Sequence, residues 1–322
     1  MAVSRTGERL IFIISQPRSG STLLQKILGT HSQISTCVEP WLLLPLVYIL
    51  RKDGIRAEYN EFSRNINILE FLDSIPHGRD HYLEGTRLLM SNIYNKAMTD
   101  TDNYFLDKTP RYYLIIPELA ELFPDAKFVF LFRNPLSVLA SMHTTWKSVM
   151  GLLDSRFKKD LLRAPNLLIS GKKMLDNRAF SISYESLVKN PEDELKSLCN
   201  WLSIPYQSTM MEYGGHDASR WVLGDQKTVY EYDRPITEKI DKWVEFIQSA
   251  QNWRYANCYL DYLGPDTVEQ LGYSYDYLKD ILISHKPSIL TRTFTLPFFF
   301  SMSAHNILRK IYRRFVFKEA IF

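Results

Sequence analysis

A strand-like run that leads through a short loop into a helix constrains this chain most. Residues 10–14 are apolar, residues 16–22 form a loop with a proline and a glycine, and residues 23–28 have helical spacing. Such a pattern predicts a buried strand, a turn and a helix. A helix N-terminus presents unpaired N–H groups and a partial positive charge, so the loop is expected to bind a phosphate or sulfate. The alternative is an ordinary capped turn in which Arg18 is a surface residue.

The loop differs from the two commonest nucleotide-binding loops. The Walker A loop, G-x-x-x-x-G-K-[ST], needs a lysine after its second glycine, but here Arg18 precedes Gly20 and no lysine follows it in the loop. The spacing is also not G-x-G-x-x-G, which argues against a dinucleotide site. Side-chain donors come instead from Arg18, Ser19, Ser21 and Thr22.

A second strand-like run lies far along the chain and ends at another arginine. Residues 127–132 are largely apolar and lead into Arg133-Asn134-Pro135. Pro135 suits the first turn of a helix, which places Ser141 about two turns further on. Parallel strands bind ligands beyond their carboxyl ends, so Arg133 and the Arg18 loop are expected to face one crevice. The alternative is that Arg133 lies on the surface and Ser141 packs within the protein.

The remaining periodicity predicts a parallel α/β sheet flanked by helices. Strands are predicted at residues 10–15, 104–106, 127–132 and 179–184, and helices at residues 22–28, 113–122, 136–146, 191–202 and 237–248. Residues 40–103 and 148–177 have the pattern of helical insertions, which are expected to select the substrate. We predict one domain over residues 1–283 and an appended tail over residues 284–322.

Both arginine motifs resemble those of sulfotransferases that use 3′-phosphoadenosine 5′-phosphosulfate (PAPS), in the carbohydrate, tyrosylprotein and bacterial branches. Pro-Arg-Ser-Gly-Ser-Thr-Leu-Leu resembles the 5′-phosphosulfate loop, and Arg-Asn-Pro-Leu-Ser-Val-Leu-Ala-Ser resembles the 3′-phosphate motif. The resemblance implies a P-loop-like sheet and PAPS as cosubstrate, with no metal. It implies that residues 18–22 bind the 5′ end, while Arg133 and Ser141 hold the 3′-phosphate.

Lys108 and Glu39 complete the predicted chemistry. Lys108 follows a strand-like run, and the resemblance implies that it and Arg18 stabilise the sulfuryl oxygens. Glu39 is the candidate base, because the family has a glutamate shortly after its first helix and the adjacent apolar residues favour a protonated carboxyl. Glu39 could instead form a structural ion pair, and Lys108 could be a solvated turn residue. His31 is the competing base, and Asp107 is a weaker one.

Two further stretches resemble nucleotide contacts of the family. Tyr184 begins Tyr-Glu-Ser-Leu-Val, where the resemblance implies that the ring borders the nucleotide; the alternative is a tyrosine that closes the core. Lys227 ends Gly-Asp-Gln-Lys, which resembles Gly-Asp-Pro-Lys, but Gln226 replaces the usual proline and leaves the loop's conformation open.

Composition limits the class and the location of the protein. Of 322 residues, 45% are hydrophobic and 23% charged, as in globular proteins. The three cysteines form no zinc or disulfide pattern, and the short N-terminal apolar run does not resemble a signal peptide. We therefore expect a cytoplasmic protein.

The tail is unusually basic for this chain. Its 39 residues hold seven basic and one acidic residue, although the whole chain carries only +3. Apolar residues at helical spacing accompany these charges, so the tail is expected either to contact a membrane surface peripherally or to pack on the domain. No nucleic-acid-binding motif accompanies it.

The sequence thus predicts a PAPS-dependent transferase that sulfates a hydroxyl, and the expected acceptor is a carbohydrate or glycolipid. Two alternatives stay open. One is a kinase-like phosphotransferase, which the absent Walker lysine disfavours. The other is a membrane-associated protein that binds the nucleotide without transferring anything.

Overall fold

A computed structural model of the chain describes residues 3–37, 39–51, 61–99, 102–146, 155–212, 237 and 240–287. Its centre is a five-stranded sheet in which every pairing is parallel, with strand order β2-β3-β1-β4-β5. The strands are β1 Leu10–Ser15, β2 Ile34–Thr36, β3 Tyr104–Asp107, β4 Lys127–Phe132 and β5 Ala179–Ser183. The predicted P-loop-like α/β sheet is confirmed.

Helices surround the sheet and extend its connections. They are α1 Ser21–Gly29, α2 Leu43–Tyr48, α3 Glu61–Ser74, α4 Gly78–Ala97, α5 Ile116–Leu122, α6 Pro135–Trp146, α7 Ser155–Leu162, α8 Ala164–Leu175, α9 Tyr184–Lys189, α10 Pro191–Leu202, α11 Lys242–Phe246, α12 Ala250–Gln270 and α13 Tyr275–Ser284. Single 3₁₀ turns occur at Tyr112–Leu114, Asp176–Arg178 and Ser208–Met211.

The central strands form because both of their faces are buried. All six residues of β1 are buried. Phe12 points to a core built with α2, α4, α5 and α8, whereas Ile11 and Ile13 point to a core with α1, α9 and α10. This two-sided burial explains why the strand reads as a continuous apolar run rather than an alternating one.

A third apolar cluster lies beside the sheet and joins α6 and α7 to the helices near the end of the described chain. Leu139 of α6, Leu161 of α7 and Tyr259 of α12 belong to it. The helix α6, which carries Ser141, is therefore held by packing from the C-terminal helices.

Most predicted elements agree with the structure, and the differences have local causes. Strand β2 was not predicted, because only three residues form it and two are polar. The predicted helix over residues 113–122 is interrupted at Ile115, whose backbone is not helical, and α5 begins just before Pro117. Of the helix predicted over residues 237–248, the described residues 240–248 contain the α-helix Lys242–Phe246.

The described parts of the insertions are mostly helical, as predicted, and supply α2 to α4 and α7 to α8. The described ranges contain no helix with the length and apolarity needed to cross a bilayer. Almost all of the predicted tail, from residue 288 onward, lies outside the described residues, as does Lys227. The division into domain and tail therefore stays a prediction.

Candidate active site

All five strands deliver a candidate site residue beyond their carboxyl ends. In sheet order, β2 leads to Glu39, β3 to Lys108, β1 to the Arg18 loop, β4 to Arg133, and β5 to Tyr184. The loop therefore lies in the middle. We call Glu39 and Lys108 the β2–β3 side, and Arg133, Ser141 and Tyr184 the β4–β5 side.

The central loop turns sharply and opens α1. Arg18 and Gly20 both have left-handed backbones, with φ of 71° and 95°. A Cβ added at Gly20 would lie 2.5 Å from Cδ2 of Tyr184, so a larger residue would clash there. Gly20 is the N-cap of α1 and its carbonyl accepts from Leu24 N at 3.1 Å. The helix N-terminus therefore comes close to Tyr184 and points to the crevice between the strand ends.

The β2–β3 side contains a buried ion pair. Lys108 Nζ lies 2.5 Å from Glu39 Oε1, and the two side chains are 1% and 7% exposed. Lys108 Nζ also donates to Thr22 Oγ1 at 3.4 Å, which joins the pair to the central loop. Burial lowers the pKa of Lys108, and the Glu39 carboxylate opposes this shift. The structure thus brings the predicted base and the predicted second cation together.

A fully buried carboxyl group lies next to this pair. Asp107 Oδ2 accepts hydrogen bonds from Tyr94 at 2.6 Å and Tyr112 at 2.8 Å. Burial raises the pKa of Asp107 to about 6, although these hydrogen bonds oppose the shift. Because its hydrogen bonds run to the core, Asp107 is better placed to anchor the end of β3 than to meet an acceptor.

The β4–β5 side contains the cation of Arg133. Among the described residues, no carboxylate lies within hydrogen-bonding distance of its guanidinium group. The Arg133 guanidinium lies 4.1 Å from the centre of the Tyr184 ring, and Nη1 donates to the Arg18 carbonyl at 3.0 Å. Burial lowers its pKa, against the nearby Tyr184 and Glu185. In the described part of the chain, the buried Arg133 Nε has no hydrogen-bond partner. An anion such as a ribose 3′-phosphate would supply the missing acceptor.

Arg18 bridges the loop and α6. Its Nε donates to Ser141 Oγ at 3.3 Å, and Ser141 lies on the helix that follows Arg133. In this arrangement the Arg18 side chain contacts the β4–β5 side. The sequence analysis, by contrast, predicts that Arg18 stabilises the sulfuryl oxygens.

The amino-acid sequence also matches a known protein family. Residues 10–208 match the sequence model of the "Sulfotransferase family", a span of more than half of the chain. The chain belongs to the sulfotransferase family.

Curated relatives of this sulfotransferase-family chain match only over part of their length. Nodulation protein NoeE of Sinorhizobium fredii is 33% identical over 138 residues, which are 42% of this chain and 32% of the relative. Protein-tyrosine sulfotransferase 1 of Danio rerio is 24% identical over 248 residues, which are 73% of this chain and 65% of the relative. The chain thus spans about a third to two thirds of these proteins.

Solved structures support the same fold. The sulfotransferase domain from the curacin biosynthetic pathway has a TM-score of 0.53 and 21% identity, and covers 82% of this chain and 97% of its own. The corresponding domain of the Synechococcus PCC 7002 olefin synthase has a TM-score of 0.50 and 20% identity, and covers 82% and 93%. At these identities the likeness shows the fold alone.

His31, the competing base, forms structural hydrogen bonds through both of its ring nitrogens. His31 is buried, and its Nδ1 accepts from Gln33 N at 3.1 Å. The other ring nitrogen, Nε2, lies 2.7 Å from the Pro205 carbonyl and therefore donates to it. With both nitrogens in structural hydrogen bonds, His31 is poorly suited to accept a proton from an acceptor.

Tyr184 directly follows β5 and is buried, and the Arg133 guanidinium covers one face of its ring. Its backbone begins α9, where Ser183 caps the helix. This arrangement favours Tyr184 as a wall that positions Arg133. Stacking on adenine remains a prediction for the other face.

Sequence reasoning missed a buried polar network that ties an insertion to the site. Asp160 of α7 forms a two-bond ion pair with Arg111, at 3.2 and 2.8 Å, and Tyr113 donates to the same carboxylate. Gln16, at the start of the loop, donates to the Asp160 carbonyl at 2.8 Å. No local pattern signals this, because Asp160 and Gln16 are 144 residues apart.

Proposed function

We propose that this protein transfers the sulfuryl group of PAPS to a hydroxyl of an acceptor. One observation carries the proposal: a buried carboxylate–lysine pair lies on one side of the central loop, and on the other side lies an arginine whose buried Nε has no acceptor among the described residues. A nucleotide with a phosphate on the 3′ and another on the 5′ position of its ribose would offer one anionic group to each side. Family membership and the resemblance of both arginine motifs support the same assignment.

The β4–β5 side would hold the nucleotide. Arg133 Nε and Ser141 Oγ would bind the 3′-phosphate, while residues 18–22 and the N–H groups of α1 bind the 5′ end. This grip would fix the sulfur atom beside Thr22, where Lys108 Nζ already lies 3.4 Å from the Thr22 hydroxyl. Alignment of the acceptor with the departing phosphate is itself a large part of such catalysis.

The β2–β3 side would carry the chemistry. The acceptor oxygen attacks sulfur as the bond from sulfur to the 5′-phosphate oxygen breaks, giving a sulfate ester and adenosine 3′,5′-bisphosphate. Glu39 takes the hydroxyl proton, and Lys108 stabilises the charge that develops on the departing oxygen. Because a carboxylate oxygen has two lone pairs, Glu39 Oε1 can accept this proton without releasing Lys108.

The acceptor class is part of the proposal. The Gly-Asp-Gln-Lys stretch, which resembles that of carbohydrate-type enzymes, favours a carbohydrate or glycolipid. Relatives named as protein-tyrosine sulfotransferases support the tyrosine hydroxyl as a second acceptor class. The assay therefore includes both.

The test measures transfer from ³⁵S-labelled PAPS to saccharides, glycolipids and tyrosine peptides. Glu39→Ala is expected to lower kcat by about 10²–10⁴-fold, while binding of adenosine 3′,5′-bisphosphate persists. Glu121→Ala is the matched control, because Glu121 forms an ion pair with Arg79 on the surface. Full activity of Glu39→Ala would exclude it as the base.

The same assay addresses the two alternatives. Transfer that requires magnesium and a nucleoside triphosphate, and that a chelator abolishes, would indicate a phosphotransferase. Tight binding of the bisphosphate without transfer to any acceptor would indicate a nucleotide-regulated binding protein.

A further inference from the structure

Trp41 has an unusual backbone close to the candidate base. Its φ is 56°, in the left-handed region that large side chains rarely adopt. Such a conformation persists only when surrounding contacts impose it, and it is commonest at functional sites. The contacts of Trp41 therefore indicate what the strained backbone achieves.

Those contacts connect the segment that carries Glu39 to the loop that carries Lys108. The indole Nε1 of Trp41 donates to Glu39 Oε2 at 3.2 Å. Its main-chain N donates to Thr109 Oγ1 at 3.4 Å, and the Arg111 guanidinium lies 5.9 Å from the indole ring centre. Trp41 thus contacts Glu39 itself and two residues that follow Lys108 in the chain.

Each oxygen of the Glu39 carboxylate consequently has its own donor. Lys108 Nζ contacts Oε1 at 2.5 Å, and Trp41 Nε1 contacts Oε2 at 3.2 Å. A carboxylate held by one donor can still rotate about its last bond, whereas donors to both oxygens fix its plane. The lone pairs that remain on Oε1 and Oε2 then point in set directions.

We infer that Trp41 is a positioning residue for Glu39, and that its indole N–H fixes the carboxylate plane so that a free lone pair faces the acceptor hydroxyl. The left-handed backbone of Trp41 occurs together with an indole that contacts a residue only two positions earlier. This inference rests on the proposed sulfuryl transfer, in which Glu39 is the base.

Trp41→Phe tests it kinetically, because the substitution removes the N–H and keeps an aromatic ring. We expect kcat to fall by about 10–100-fold, as for loss of a hydrogen bond to a charged group, with little change in affinity for adenosine 3′,5′-bisphosphate. The acidic limb of the kcat–pH profile should move to higher pH, since the ionised carboxylate loses a donor. An unchanged kcat and pH profile would overturn the inference.

Trp253→Phe is the matched control. Its indole Nε1 donates to the Leu282 carbonyl at 2.6 Å, in the apolar cluster beside the sheet. This variant should lose thermal stability but leave the kcat–pH profile unchanged. A shift of the same size in both variants would mean that Trp41 acts only through stability.

A direct measurement separates this inference from the proposed function. In protein labelled with ¹⁵N-tryptophan, the Trp41 indole signal is assigned by its absence in Trp41→Phe. Glu39→Ala should move that signal more than the signal of Trp253, whether or not any acceptor is sulfated. A Trp41 signal that does not respond to Glu39→Ala would overturn the inference even if the protein proves to be an active transferase.

Discussion

The two sides of the crevice hold their positive charges in different ways. On the β2–β3 side, Lys108 is 1% exposed and already paired with Glu39, so its charge is balanced within the protein. On the β4–β5 side, Arg133 stacks on Tyr184 and keeps a buried Nε without an acceptor in the described chain. The first side is internally complete, whereas the second needs an anion from outside.

This difference assigns nucleotide binding to the β4–β5 side and proton transfer to the β2–β3 side. A cation that lacks an acceptor gains most from an incoming phosphate, so affinity for the nucleotide should depend chiefly on the β4–β5 side. A paired lysine gains less on binding, but it holds the neighbouring Glu39 carboxylate in place beside the central loop. Four predictions test this comparison, from the largest expected effect to the smallest.

The largest effect should come from splitting the Lys108–Glu39 pair. Lys108→Met leaves a buried carboxylate without its cation and should lower the free energy of unfolding by about 3–5 kcal/mol, measured by urea denaturation. The double variant Lys108→Met/Glu39→Leu should recover most of that loss. The exposed pair Lys196–Glu192 is the control, and splitting it should cost far less than splitting the buried pair. If the double variant were as unstable as the single one, the pair would not be internally balanced.

The next effect concerns Arg133, whose buried Nε has no acceptor among the described residues. Arg133→Ala should weaken binding of adenosine 3′,5′-bisphosphate by about 300-fold, because a charge-assisted contact to the 3′-phosphate is lost. Binding of adenosine 5′-monophosphate, which has no 3′-phosphate, should change far less in the same calorimetric titration. Arg178→Ala is the control, since Arg178 donates to the Pro124 carbonyl elsewhere. Equal losses for both nucleotides would contradict the assignment of Arg133.

The buried carboxyl group of Asp107, beside Lys108, should make the stability of the protein depend on pH. The folded-state pKa of Asp107, about 6, lies above its ordinary 3.8, so its contribution to stability is present below about pH 4 and lost as pH rises through 6. Relative to Asp107→Asn, the wild type should therefore lose about 3 kcal/mol of unfolding free energy between pH 4 and pH 7.

Asp102 provides a control of opposite sign for Asp107. Burial alone would raise its pKa, but hydrogen bonds from Ser35 and Thr99 lower it overall. The stability contributed by Asp102 should therefore be present above its ordinary pKa and be lost as pH falls. Comparing Asp102→Asn with the wild type at each pH in urea should show that opposite trend, and a trend of the same sign would refute both assignments.

The smallest effect decides to which side Arg18 belongs. If Arg18 reaches the sulfuryl oxygens, Arg18→Ala should lower kcat about tenfold more, relative to its loss of nucleotide affinity, than Arg133→Ala does. Steady-state transfer assays and bisphosphate titrations give both ratios. Equal ratios would leave Arg18 with Ser141, as an additional ligand of the nucleotide only.

Much of the framework could be predicted because it depends on short-range patterns. The runs at residues 10–15 and 127–132 match β1 and β4 to the residue, since both strands are buried on two faces. The three-residue β2 could not be predicted, because its pairing with β3 rather than its own composition makes it a strand. The same holds for the Asp160 network, which joins residues distant in the chain.

The sequence by itself determined the order of elements, the loop that opens α1 and the arginines placed after β1 and β4. Local periodicity and turn residues encode these features directly. Only the tertiary structure decided that Glu39 pairs with Lys108, 69 residues away, and that His31 is held by the Pro205 carbonyl, 174 residues away. Such pairings depend on which strand ends become neighbours in the sheet, and that order follows from packing of the whole domain.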